Sequence, residues 1–162
     1  MALSWGQGDR TSATHGVVLD PNGRINNFAL SKLGDRDREA DMEKFGEKIS
    51  IHEPDIIVLA GFHPGIQTHL LNIVKEIVDK GKAKRKWKKD IAVSIVDDDT
   101  ARIFMNSNRG IKAFPDANNT PLIRYLVSLA RKVQDPVSEY AGLVNVDDDI
   151  KHLQLHPFQK LV

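Results

Sequence analysis

The apolar residues of this chain change their period several times along its length, and each change marks an element. Ala2 to Trp5 is a short apolar run followed by a polar stretch from Gly6 to Ser12. Thr14 to Leu19 and Arg24 to Lys32 read as two strands, because Asp20-Pro21-Asn22-Gly23 between them holds the residue types that favour a tight reversal. From Asp35 to His52 the chain is heavily charged, with Met42, Phe45 and Ile49 recurring on one side until Pro54 ends the pattern, which predicts an amphipathic helix. Within Asp55 to Phe62 the run Ile-Ile-Val-Leu-Ala predicts a strand covered on both faces. A second helix is expected over Ile66 to Val78, and another buried strand over Ile91 to Val96.

The last strongly periodic segment is Leu122 to Gln134. Thr120 and Pro121 form a helix-start signal, a capping hydroxyl followed by a ring already at helical φ. Leu122, Leu126, Leu129, Ala130 and Val133 then form an apolar stripe, with Arg124, Arg131 and Lys132 directed elsewhere. Pro136 stops the helix, and Asp135 is placed to cap a second short one through Val137, Tyr140 and Ala141. A hairpin region followed by alternating helices and apolar strands gives an α/β fold, a mixed sheet with helices packed on it.

Four pieces in order carry a resemblance. Ser128-Leu129-Ala130-Arg131, Gln134-Asp135-Pro136, Glu139 and the later His156-Pro157-Phe158-Gln159 resemble the end of the YqgF domain in the Tex and eukaryotic Suppressor-of-Ty-six family. Ile95-Val96-Asp97-Asp98-Asp99 followed by Met105-Asn106-Ser107 is similar to the eukaryotic branch in particular. The resemblance implies a ribonuclease H-like, RuvC/YqgF-type mixed five-stranded sheet over residues 1–144, with 145–162 as a junction to a following helical domain. It also implies a setting: a transcription elongation factor and histone chaperone in the nucleus, with the RNA polymerase II elongation complex, histones and neighbouring domains of the same protein as partners. Ile150, Leu153, Leu155, Phe158 and Leu161 agree with the junction, since they would leave apolar surface in a tail without its own core.

Composition narrows the chemistry. A chain of 162 residues with 41% hydrophobic residues can bury one substantial core. The absence of cysteine removes disulfides, thiolate zinc sites and thiol catalysis together. There is no signal-peptide pattern and no apolar run long enough to cross a bilayer, so no membrane partner is expected. The formal charge of +1 conceals a concentration of seven cations against Asp90 in residues 80–90. Lys82, Lys84, Arg85, Lys86, Lys88 and Lys89 around Trp87 are candidate nucleic-acid contacts, the cations for phosphates and the indole for stacking on a base. Lysine stems shielding Trp87 on a solvated helix end, or a nuclear localisation signal, are the other readings of that run.

Nucleases of the resembled fold hold two divalent cations with carboxylates at sheet and helix ends. The family pattern implies an acid in the first strand, where this chain has Ala2-Leu3-Ser4-Trp5, and another near the end of the fourth strand, where it has Ala60-Gly61-Phe62-His63. The final helix offers no acid between Leu122 and Gln134. Asp97, Asp98 and Asp99 are the remaining acidic group, expected to be a solvated turn, and Asp9 lies in a Gly-rich loop just past the first strand. Gly6-Gln7-Gly8 lacks the Lys-Ser or Lys-Thr continuation of a phosphate loop, and Ser4 with His63 lacks the elbow of a hydrolase triad. His15, His52, His63, His69, His152 and His156 show no compact ligand spacing beyond His63 and His69. The expectation is therefore a scaffold and interaction domain without catalytic residues, metal or cofactor. An active RuvC-like metal-dependent nuclease and a non-specific nucleic-acid-binding module are the alternatives.

Overall fold

A computed structural model describes residues 1–5, 13–30, 38–61, 64–115 and 120–154. The chain forms two compact units, Met1–Asp97 and Asp98–Val162. The first holds the expected mixed sheet of five strands: β1 (Ala2–Trp5), β2 (Thr14–Leu19), β3 (Ile25–Leu30), β4 (Ile56–Leu59) and β5 (Ala92–Ile95), in the order β3-β2-β1-β4-β5. β1, β2 and β3 pair antiparallel, whereas β4 is parallel to both β1 and β5. The β2–β3 reversal is the one its residues predict. The Asp20 carboxylate accepts from the backbone N–H groups of Asn22 and Arg24, both at 2.8 Å, and Gly23 takes the left-handed φ of 77°.

Parallel pairing needs crossover connections, and helices supply them. α1 (Arg38–His52) precedes β4, and a π-type turn (Ile66–Leu70) runs into α2 (Leu71–Ala83) before β5. Leu3, Trp5, Ile57 and Leu59 of the sheet share one core with Phe45 and Ile49 of α1 and with Leu70, Ile73 and Val74. Gly16 opens a slot in β2 that the Phe28 ring fills, and Phe28 in turn lies 6.3 Å from the Phe45 ring.

The second unit is helical: α3 (Asp99–Asn106), α4 (Asn108–Ala113), α5 (Pro121–Gln134), α6 (Pro136–Ala141) and a 3₁₀ turn (Asp149–His152). α3 packs on α5. Thr120 caps α5 by accepting from Ile123 N–H at 3.4 Å, and Asp135 caps α6 by accepting from Ser138 N–H at 3.1 Å and from the Ser138 hydroxyl at 2.6 Å, as the sequence predicts. Those bonds hold the Asp135 carboxyl below its ordinary value.

Several expectations need correction. β5 is not a buried strand: Ala92 and Ser94 are exposed, because β5 is the sheet edge and has a neighbour on one side only. α2 continues five residues past Val78 to Ala83. Asp99 is not part of a solvated turn but opens α3, where a carboxylate complements the positive end of the helix. Burial on α5 exceeds one stripe, since every residue from Tyr125 to Ala130 is buried. Leu153 is buried rather than exposed. Asp9, Gly6-Gln7-Gly8, His63, Phe62, His156-Pro157-Phe158-Gln159, Leu155 and Leu161 lie outside the described residues.

Candidate functional site

Register decides what stands at the end of β1. Leu3 pairs with Leu59, and the sheet places Ser4 opposite His15 in β2 and Trp5 opposite Thr14. Ser4 is 1% exposed, and its hydroxyl donates to the Trp5 carbonyl oxygen at 3.1 Å. Gly61 rather than Ala60 faces it: a Cβ on Gly61 would come 2.7 Å from Ser4 Oγ and 2.3 Å from Ile66 Cδ1. No side chain of any kind fits at 61 without displacing these neighbours. His15 is partly buried, and loss of hydration lowers its pKa. His69 packs near Trp5, with ring centroids 6.3 Å apart.

Among the described residues, only Asp97, Asp98 and Asp99 bring three potential ligand atoms within 4.8 Å of one another. The middle carboxylate is already engaged. One Asp98 oxygen accepts from the hydroxyl of the fully buried Tyr125 at 2.6 Å, and the other accepts from Arg102 Nε at 2.8 Å. The bond to Asp98 raises the Arg102 pKa further above its ordinary value.

The sequence offers the basic run as candidate phosphate contacts around Trp87, and the structure divides it. Lys82 pairs with Asp90, and Lys89 pairs with Asp55 at 3.0 Å; each pairing favours the charged forms, raising the Lys82 pKa and lowering that of Asp55. Lys84, Arg85, Lys86 and Lys88 are exposed and make no ion pair among the described residues. Trp87 does not project among them. It is 5% exposed and belongs to the sheet core, where its six-membered ring occupies the space a Cβ on Gly81 would need, 1.8 Å from Cη2. An indole held there has no free face for a base.

One polar cluster escaped the sequence reading. In the second unit the Ser128 hydroxyl donates to Glu139 Oε2 at 2.7 Å, joining α5 to α6, and Arg109 Nη2 lies 3.7 Å from the same oxygen. Arg109 also stacks 4.8 Å above the Phe104 ring, and its Nη1 fills the space that a Cβ on Gly142 would need. Both Ser128 and Glu139 are buried. Ser128 and Glu139 stand in the motif that carries the resemblance, but nothing in their spacing shows that they meet each other and Arg109.

With this geometry in view, the family model described as YqgF, Holliday-junction resolvase-like of SPT6, matches residues 1–144. The chain is similar to the transcription elongation factor SPT6 of Candida albicans, 31% identical across the whole chain and 12% of that protein. It is also similar to the Suppressor of Ty 6 homolog of Caenorhabditis briggsae, 34% identical over 93% of the chain and 10% of that protein. With the transcription elongation factor SPT6 of Drosophila melanogaster it shares 35% identity over 76% of the chain and 6% of that protein. The chain thus spans about a tenth of the length of the first two relatives.

Proposed function

We propose that this chain, which belongs to the YqgF family, Holliday-junction resolvase-like of SPT6, is a catalytically inactive ribonuclease H-like scaffold and interaction domain. The observation that carries the reading is the crowding at the end of β1. Two-metal hydrolysis needs carboxylates from separate elements converging on one point. Here the first-strand position holds Ser4, whose hydroxyl bonds to the backbone, and Gly61 in front of it has no room for a side chain. The acidic turn does not replace them, because both Asp98 oxygens are engaged by Tyr125 and Arg102. The residues present therefore do not fit the metal pair of the resembled nucleases.

The relatives are named transcription elongation factors, which supports a role in transcription elongation for the protein to which this domain belongs. Its place in the nucleus, the histone chaperone role, and RNA polymerase II and histones as partners are proposed on the family resemblance. Residues 145–162 are proposed as the junction to a following helical domain, since the family match ends at 144 and Val144 and Val146 are exposed there.

Isothermal titration with Mg²⁺ and Mn²⁺, beside cleavage assays on branched DNA, single strands and RNA, tests the loss of catalysis. The expected result is no binding heat at a defined stoichiometry and no cleavage. Metal-dependent cleavage that disappears when Asp97, Asp98 and Asp99 are changed to Asn would overturn it.

A further inference from the structure

A pocket of about 260 Å³ opens between α1 and α2. Met42, Ile77 and Trp87 supply its apolar lining, and each helix contributes a glycine, Gly46 and Gly81. The α1 side is open beside Gly46, where a Cβ would meet nothing within 4 Å. The charges of the lining are segregated by element. α1 brings Glu39 and Glu43, whereas α2 and the turn after it bring Lys80, Lys84 and Lys86. Lys80 is paired with Glu76, but among the described residues Lys84 and Lys86 are not paired, nor are the adjoining Arg85 and Lys88.

We propose that this pocket docks a short acidic peptide segment of a partner protein, which inserts one apolar side chain and lays flanking carboxylates against Lys84, Arg85, Lys86 and Lys88. Charge complementarity selects the occupant. Lys84 and Lys86 on the pocket wall, with the exposed Arg85 and Lys88 beside them in sequence, match an anionic segment whose apolar anchor meets Met42, Ile77 and Trp87, and basic clusters that read acidic motifs are a recurring mode of peptide recognition. The volume falls just below the roughly 300 to 1,000 Å³ of small-molecule sites and suits a single side chain. A nucleic-acid backbone fits less well. It has no side chain to place between Met42 and Ile77, and the buried Trp87 offers no stacking platform.

Fluorescence anisotropy on the 162-residue chain decides the matter. The probes are a labelled glutamate-rich peptide with one central leucine, the same peptide with alanine at the centre, and labelled single-stranded and duplex oligonucleotides. The leucine peptide should bind at low salt and weaken as salt screens the cations. Alanine at its centre should weaken binding roughly tenfold, and Gly46→Leu, which fills the pocket and leaves every cation in place, should do the same. Changing Lys84, Arg85, Lys86 and Lys88 together to Ala should abolish it. The alanine peptide keeps the test decisive even if Gly46→Leu perturbs folding. Equal binding of both peptides overturns the proposal, as does an absence of peptide binding at low salt. Oligonucleotide binding at least as tight as the peptide's and indifferent to Gly46→Leu also overturns it, and would assign the segment to phosphates.

Discussion

Ser4→Asp restores the carboxylate that the first strand of the resembled nucleases carries, and the surroundings of Ser4 set what that should cost. The site is 1% exposed, and the space in front of it is closed by Gly61 and Ile66. A carboxylate there loses its hydration, and burial of this kind raises a carboxyl pKa by up to about 3 to 5 units. From an ordinary value of about 3.9, a shift of more than about three units leaves the group mostly protonated at neutral pH, which caps the charge penalty there at about 4 kcal/mol. Crowding adds about 1 to 3 kcal/mol, and Ser4→Asn, nearly the same shape without the charge, measures that part alone. The pH dependence has a definite sign. With the folded pKa raised above the unfolded one, the aspartate variant should match the asparagine variant below about pH 4 and fall behind it as pH rises towards the folded pKa. Thermal unfolding of both variants at about pH 4 and about pH 8, with and without Mg²⁺, is the assay. For a chain of this size the full charge penalty corresponds to a Tm difference of about 8 to 16 °C. Equal stability of the two variants at high pH would refute the dry, unpaired site, and Mg²⁺ restoring the aspartate variant would mean that partner carboxylates are already assembled around it.

Gly81→Ala should destabilise the sheet unit by about 1 to 3 kcal/mol, because its Cβ would fall 1.8 Å from the Trp87 ring; urea unfolding read through indole fluorescence checks it, and an unchanged midpoint would place Trp87 elsewhere. Tyr125→Phe removes the hydroxyl bound to Asp98 and should cost about 1.5 to 3 kcal/mol in the same measurement, whereas a neutral result would release Asp98 as a potential ligand.

Sequence revealed most where the cause was local. The Asp20 to Gly23 reversal and the Thr120 and Asp135 caps each need only residues within four positions of one another, and each formed as its residues predicted. α3 and α4 were missed because they are short and joined by Ser107, whose capping bond to Gly110 N–H becomes visible only once both helices are drawn. Strand position, too, is not written in a strand's own residues: Ile91 to Val96 is apolar enough for a sheet centre, yet it forms the edge. The place of Trp87 is hidden in the sequence for the same reason. Its neighbours in sequence are lysines and an arginine, and nothing in that run shows that Gly81 has left a slot for the ring.

The residues that made the family recognisable have a bearing on function of their own. Ser128, Asp135 and Glu139 belong to the quoted motif, and all three serve the corner between α5 and α6: Asp135 caps the second helix, and Ser128 ties the first to Glu139. Glu139 is in turn the carboxylate beside Arg109. Removing it would strand a half-buried guanidinium, so the corner tolerates little change for reasons of folding alone. A motif made of such residues identifies a fold without identifying a chemistry. The first-strand position, Ser4, lies in another unit, so what stands there does not bear on the signature. That separation lets a chain be legible as a YqgF domain whether or not its strand ends carry a nuclease's ligands, so function can reside on surfaces that the motif does not include, the pocket beside Trp87 first among them.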